Sequence, residues 1–166
     1  LVKAIRPDLE VLSIRGNVET RLKKVSNGEY DAAVLAAAGM LRLGLEKQIV
    51  EYFDPSHFIP AVGQGALAVE ARDDDGELTE LVASLNHQAS WDAVTAERAF
   101  RRALGGGCRV PMAAYGEVKG DTLHLSGLVI AEDGSQVFQA QIKSPAEAPE
   151  KAGKQLAQEV LGQGAK

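Results

Sequence analysis

Short apolar runs alternate with helix-spaced apolar positions along the first half of the chain. Apolar runs at residues 9–14 and 30–36 predict buried strands, residues 49–53 form a weaker strand candidate, and the alternation of residues 66–72 predicts a further strand. Between them, helical spacing predicts helices over 18–26 and 39–45. Asn17 is the expected N-cap of the first helix, and Gly28 is its expected left-handed stop. Strands separated by helices favour parallel pairing, so we expect an α/β layer here. The strand at residues 66–72 is expected to leave this layer.

The second half of the chain changes from helical spacing to strand alternation. Four apolar positions with i, i+3, i+4 and i+7 spacing predict a helix at Leu78, Leu81, Val82 and Leu85. A second helix is expected to begin after Asp92 as its N-cap and to end at the glycines 105–107. Alternation then predicts strands over 112–119, 122–131 and 137–143. The short turns between them are typical of antiparallel hairpins, and Pro149 introduces a closing helix.

These patterns predict an α/β unit followed by an α+β unit, a three-stranded antiparallel sheet packed with helices. A crossover between the two is expected from about residue 60. The spacing of Leu1, Ala4 and Ile5 is that of an apolar helix face that stops at Arg6-Pro7. We therefore expect the chain to begin inside an element, with an upstream part missing and any site shared with that part only half present.

The composition narrows the class of protein. The 166 residues are 45% hydrophobic and 25% charged, as in soluble globular proteins, which excludes collagen-like and disordered chains. A net charge of −5 gives no global reason to expect nucleic acid or an anionic membrane as partner, and no apolar run is long enough to span a bilayer. The single cysteine and the absence of a signal-peptide pattern favour a reducing compartment, most simply the cytoplasm.

Cys108 is one candidate for chemistry. It follows Gly105-Gly106-Gly107 and precedes Pro111, so the thiol lies in a segment whose backbone is shaped by glycine and proline. Neighbouring arginines, of which Arg109 is adjacent, would lower the pKa of the thiol and raise its thiolate fraction. The alternative is a small buried side chain beside a helix stop, since free cysteines are often buried.

Arg15, Arg21 and Arg42 form a second candidate site. Arg15 precedes a predicted helix N-terminus, where free N–H groups and the helix dipole favour anions, and Arg21 lies one turn into that helix. Guanidinium groups bind carboxylates through paired hydrogen bonds, so converging arginines would suit a polyanionic ligand. The alternative is an ordinary solvated helix face.

Other motifs indicate no site. Gly63-Gln64-Gly65 lacks the third glycine and following helix of a dinucleotide fingerprint and is better read as a turn. The three histidines have no cysteine or acid at metal-ligand spacing, so we expect no metal. The acidic run 73–75 lacks the calcium-loop pattern.

Several stretches together resemble one family. In chain order they are Arg15-Gly-Asn-Val-Glu-Thr-Arg21-Leu, Tyr30-Asp-Ala-Ala-Val-Leu-Ala, Arg42-Leu-Gly-Leu, Pro60-Ala-Val-Gly-Gln-Gly-Ala66, Thr95-Ala-Glu-Arg98-Ala and Gly106-Gly-Cys108-Arg-Val-Pro111. They cover most of the chain and resemble the porphobilinogen deaminases, also called hydroxymethylbilane synthases. Some members have Gln where Arg109 stands and Glu at Gly105, which leaves the role of the cysteine undisturbed.

The resemblance implies a transferase of haem and tetrapyrrole biosynthesis. Such enzymes condense four porphobilinogen molecules head to tail with loss of ammonia and release hydroxymethylbilane. The resemblance implies that Cys108 holds a dipyrromethane cofactor covalently, through a thioether. It also implies that Arg15 and Arg21 bind the carboxylates of cofactor and substrate, and that Arg42 binds those of the substrate.

The family resemblance also implies a domain organisation. Residues 1–59 would be the latter part of a second domain with a periplasmic-binding-protein-like α/β fold, residues 60–85 a crossover segment returning to the first domain, and residues 86–166 the third domain with the cofactor cysteine. The catalytic acid would lie upstream, so no catalytic residue is assigned here, and the chain alone is expected to be inactive. The full-length protein is expected to be a monomer.

Two other classes of function remain open from the residues. An arginine cleft without catalysis would make the chain a carboxylate-binding module, which has no need of a thiol on a glycine-rich segment. A thiol-redox enzyme is a third class, although the chain holds no resolving cysteine. A covalent mass increment on Cys108 would favour the transferase.

Overall fold

Three strands in the second half form an antiparallel meander, as the alternation predicts. The computed structural model describes residues 1–105, 111–131 and 134–165. The strands are β1 (Met112–Lys119), β2 (Thr122–Ile130) and β3 (Val137–Pro145), in the order β1-β2-β3. Gly116 pairs with Leu125, which in turn pairs with Ile142. Gly120, at a φ of 59°, allows the tight turn between the first two strands.

Six helices surround this sheet or precede it within the described residues. They are α1 (Val2–Ile5), α2 (Val18–Ser26), α3 (Ala37–Arg42), α4 (Gly76–Ala83), α5 (Gln88–Ala103) and α6 (Pro149–Gly162). A short 3₁₀ turn spans Glu46–Gln48. None of the helices in the described ranges has both the length and the apolar character needed to cross a membrane.

The main core lies between the sheet and the helices α5 and α6. Phe100 and Leu156 are fully buried there, against inward-facing strand residues such as Leu123 and Leu125. The two helices approach closely at Gly153, where an added Cβ would lie 2.2 Å from the carbonyl oxygen of Ala96. Small residues at this crossing therefore set the distance between the helices.

At one end, the opposite face of the sheet is covered by the first half of the chain. Ile59 is buried against Ala113, Leu128 and Ile130, and Leu1 packs beside them. Next to Ile59, the carbonyl oxygen of Pro60 accepts a hydrogen bond of 3.2 Å from the N–H of Ala114 on β1. The segment around residue 60 therefore joins the first half of the chain to the sheet.

The strands predicted in the first half do not form ladders. Residues 9–14, 30–36, 49–53 and 66–72 contain no strand, so the fold is mixed α/β with one antiparallel sheet, and a periplasmic-binding-protein-like layer is not confirmed. The reason is that no layer covers these segments: Val50 is fully exposed and Leu67 is 94% exposed. The accessible surface area of 11689 Å² correspondingly exceeds the roughly 7900 Å² expected for a compact protein of 17.6 kDa.

Some helix limits were predicted well and others were not: α3 spans Ala37–Arg42, whereas a helix over 39–45 was expected. Helix α2 has the predicted range, with the side-chain oxygen of Asn17 accepting from the N–H of Thr20 at 2.8 Å, and Gly28 has a φ of 76°. The predicted N-cap Asp92 is wrong, because α5 begins one turn earlier. His87 is the N-cap, and its Nδ1 accepts from the N–H of Ser90 at 3.3 Å.

Candidate functional site

The turn before α2 places Arg15 and Arg21 on either side of the helix N-terminus. Gly16 has a φ of 121°, and an added Cβ would lie 2.8 Å from the Thr20 side chain, so the turn requires glycine. The exposed Arg15 has no hydrogen-bond or ion-pair partner among the described residues. Its guanidinium is therefore available to an anion at this end of the helix.

Arg21 is half-buried, and only part of its guanidinium group is hydrogen-bonded. Its Nε donates to the carbonyl oxygen of Gly16 at 2.8 Å, which folds the side chain back toward the turn. The two terminal nitrogens of the guanidinium have no partner in the described part of the chain, and these are the atoms that form paired bonds to a carboxylate. The Gly16 carbonyl thus fixes the position of the group without using its forked end.

Arg42 lies at the end of α3, which approaches the first turn of α2. An added Cβ on Gly39 would be 3.5 Å from the Val18 side chain. Gly39 and Arg42 are three residues apart and therefore on the same side of α3. The structure thus brings α3 beside the turn of Arg15, and the exposed Arg42 lies one helical turn beyond the contact.

Cys108 lies outside the described residues, as do Gly106, Gly107, Arg109 and Val110. The residues on either side of this segment are held in place. At the end of α5, the N–H of Gly105 donates to Arg102, and at the start of β1 the carbonyl of Pro111 accepts from the N–H of Ile130 at 2.9 Å. The candidate thiol therefore belongs to the connection between α5, which ends at Ala103, and β1, which begins at Met112.

Glu97 is a site residue that sequence reasoning missed. It is only 5% exposed on α5, and its carboxylate accepts two backbone hydrogen bonds: 2.7 Å from Gly63 to Oε2 and 2.8 Å from Gly116 to Oε1. A signal was present, since Ala93, Ala96 and Phe100 have the spacing of an apolar helix face and Glu97 lies among them. A charged residue at such a position needs partners that periodicity does not identify.

Burial raises the pKa of Glu97 above the ordinary value for a glutamate. The two backbone hydrogen bonds and the charge of Arg98 oppose this effect, and burial prevails. In the unfolded chain the carboxyl regains its ordinary pKa, so the folded state holds its proton to higher pH. The stability contributed by this proton is present below the ordinary pKa and is lost as pH rises through the raised pKa of the folded state.

A pH series of urea unfolding checks this sign. The free energy of unfolding of the unsubstituted chain, minus that of Glu97→Gln, is expected to fall as pH rises from the ordinary glutamate range to neutrality. Glu150→Gln is the control, because Glu150 is exposed and its carboxylate has a single ion-pair partner among the described residues, Arg102 at 3.5 Å. A difference that stays flat or rises with pH would contradict the raised pKa.

A shallow polar groove lies on the free part of the sheet, beside Asp54 and Ser56. Tyr115, His124 and Lys143 line it. Charges of both signs are present, and Glu117 is paired with Lys119 at 2.9 Å. The groove therefore shows no preference for an anion of the kind that the arginines favour.

Two family models match the chain almost end to end. Residues 1–80 match "Porphobilinogen deaminase, dipyromethane cofactor binding domain", and residues 91–162 match "Porphobilinogen deaminase, C-terminal domain". The three arginines fall within the first match. Cys108 and Glu97 fall within the second.

Curated relatives carry the same name. The chain is 45% identical to the porphobilinogen deaminase of Syntrophobacter fumaroxidans over 99% of its own length and 53% of the relative's. It is 50% identical to that of a Roseiflexus species over 98% of the chain and 54% of the relative. It is 47% identical to that of Pelobacter propionicus, over 96% of the chain and 51% of the relative. The chain thus spans about half the length of the curated relatives it matches.

Proposed function

The chain belongs to the porphobilinogen deaminase family, and we propose that it supplies part of a transferase that joins four porphobilinogen molecules head to tail, with loss of ammonia, to give hydroxymethylbilane. The main support for this proposal is the pair of family matches over residues 1–80 and 91–162. The free arginine groups around the α2 turn support the same conclusion, because every pyrrole of such a substrate carries two carboxylates.

We propose Cys108 as the attachment point of a dipyrromethane cofactor, through a thioether at its Sγ. When bound, the cofactor supplies the pyrrole end onto which substrate is joined. In sequence Cys108 lies between the end of α5 and the start of β1, and both of these elements pack in the buried core, which supports a fixed attachment point. The donor set of the first half fits this group, since guanidinium groups suit its carboxylates.

The arginines would bind and orient carboxylates. Arg21 is held by the carbonyl oxygen of Gly16 with its two terminal nitrogens free, and Arg15 lies three residues before Val18, the first residue of α2. Among the described residues, no acceptor contacts the N–H groups of Val18 and Glu19. An anion placed there gains from the guanidinium groups, the free N–H groups and the helix dipole together.

Arginine-to-lysine substitutions test this assignment in a protein of the family's full length. Arg15→Lys, Arg21→Lys and Arg42→Lys are each expected to weaken binding by about ten- to a hundredfold, because a lysine offers a point charge and loses one charged hydrogen bond. The measurement is the substrate dependence of ammonia release. Arg6→Lys is the control, since Arg6 already pairs with Asp8. Unchanged kinetics in all three variants would show that these arginines are ordinary solvated surface residues.

The catalytic acid is proposed to lie in the part of the family's length that this chain does not span. The four extended apolar segments support a need for further chain, because a strand gains stability only when neighbours pair with it and cover it. With that part present, we propose that they form the periplasmic-binding-protein-like layer.

A complementation assay tests the proposed function. The 166-residue chain is incubated with porphobilinogen, alone and with a polypeptide covering the rest of a relative's length, and tetrapyrrole and ammonia are measured. Product only in the mixture is the expected result. Turnover by the chain alone would contradict the placement of the acid, and binding without ammonia release would instead indicate a carboxylate-binding module.

A further inference from the structure

Glu97 connects parts of the chain that are far apart in sequence. Gly63 belongs to the turn that follows the extended segment of the first half, whereas Gly116 is in the middle of β1. One carboxylate binds both, with one oxygen for each N–H. The carboxylate is thereby the only side chain in the described residues that hydrogen-bonds the 61–65 turn to the C-terminal unit.

The contact lies on the outer edge of the sheet. Among the described strands β1 pairs with β2 alone, so alternate N–H groups of β1 point away from the sheet. Ala114 donates one of these to the carbonyl of Pro60, and Gly116 donates the next to Glu97. Pro60 and the 61–65 turn therefore lie beside β1, with the carboxylate taking the place of the next backbone carbonyl.

Glycine at position 116 makes this approach possible. An added Cβ would lie 3.1 Å from the backbone of Ala93, so α5 packs directly on the strand at this point. Glu97, one turn after Ala93, then reaches the strand N–H without exposing its side chain. Gly63 has a φ of 75°, which a residue with a side chain adopts only under strain.

We propose that Glu97 is a positioning residue that fixes the 61–65 turn to the edge of β1, and so sets how the arginine-bearing half joins the unit that carries Cys108. The expected effect of Glu97 on turnover rests on the proposed function. The contact between the 61–65 turn and β1, called the joint below, does not depend on that function. A primer attached at Cys108 meets carboxylate-binding arginines only if the two halves keep a fixed relation.

Both oxygens of the carboxylate are needed for this role. A glutamine of the same length offers one oxygen and one NH₂ group, which is a donor and would face an N–H group. Glu97→Gln therefore keeps one bond and loses the other while preserving shape. An exposed carboxylate such as Glu150 provides the matched Glu→Gln control.

Amide hydrogen exchange of the 166-residue chain tests the joint. In Glu97→Gln, exchange of the Gly63 or Gly116 amide is expected to accelerate about ten- to a hundredfold, the range for losing a hydrogen bond to a charged group. The amides of Leu125 and Ile142 in the sheet are expected to stay as slow as in the unsubstituted chain and in Glu150→Gln. Unchanged protection at both glycines, or equal acceleration throughout the sheet, would overturn the proposal.

A second measurement separates this proposal from the proposed function. In the family-length enzyme, Glu97→Gln is expected to retain the mass increment on Cys108 and the KM for porphobilinogen, while kcat falls about tenfold. A normal kcat despite faster exchange at the joint would overturn the positioning role. If the unsubstituted enzyme itself shows no increment on Cys108, the proposed function fails, and the exchange result still decides whether Glu97 holds the turn.

Discussion

Replacing Cys108 with alanine in a family-length enzyme is expected to abolish attachment of the dipyrromethane and to reduce tetrapyrrole formation to background. The reason is chemical: a thioether requires Sγ, and alanine has no atom that can replace it. Because Cys108 is the only cysteine of the 166 residues, intact mass identifies its modification directly within this part of the protein. The two-pyrrole increment that we expect in the unsubstituted enzyme should be missing.

The fold should survive this substitution. The end of α5 and the start of β1 are held by backbone hydrogen bonds of Gly105 and Pro111, and neither bond involves Cys108. Circular dichroism and sheet amide protection should therefore match the unsubstituted enzyme. A Cys108→Ala enzyme that still carried the increment, or still made tetrapyrrole at a normal rate, would refute the assignment of the cofactor to this thiol.

Replacing Gly153 with alanine is expected to destabilise the C-terminal unit by about 3 kcal/mol, the upper end of the usual range for overpacking. The new Cβ would lie 2.2 Å from the Ala96 carbonyl oxygen and 2.6 Å from the backbone nitrogen of Phe100. Both neighbours belong to the backbone of α5, so no side-chain rotation relieves the clash. The two helices must separate, which loosens the core around Phe100.

The matched control is the same substitution on the same helix. Gly162 has open space where a Cβ would be added, so Gly162→Ala should be neutral or stabilise by up to about 1 kcal/mol through helix propensity. Urea unfolding monitored by the fluorescence of Trp91 on α5 gives both values. Equal stabilities for the two variants would show that the helices do not cross as described.

The elements that depend on residues close together in sequence were predicted correctly. Asn17 caps α2 by accepting a hydrogen bond from the N–H of Thr20, three residues later, and the meander follows from alternation and short turns. Both were identified from the sequence. The strands predicted in the first half form no ladder in this chain, because a pattern such as that of residues 66–72 indicates burial but does not identify the neighbour that provides it. Leu67, at 94% exposed, has none among the described residues.

The candidate site shows the same division. The turn at Arg15 was expected from the helix start, whereas the bond from Arg21 to Gly16 depends on a side-chain conformation that periodicity does not encode. Glu97 was not recognised because its partners, Gly63 and Gly116, lie 34 and 19 residues away. The role of Cys108 and the domain limits at residues 59 and 85 stay predictions.

The hydrogen bonds at the two sheet edges bear on the colloidal behaviour of the protein. An open strand edge is a template onto which a strand of another molecule can add, which is the first step of many aggregation reactions. On β1 the outward N–H groups of Ala114 and Gly116 are occupied, and on β3 the carbonyl of Gln139 accepts from the side chain of Gln163 at 2.9 Å. Addition of a strand is therefore disfavoured at these occupied positions of the two edges, and protonation of Glu97 in acid would remove an acceptor from the β1 edge.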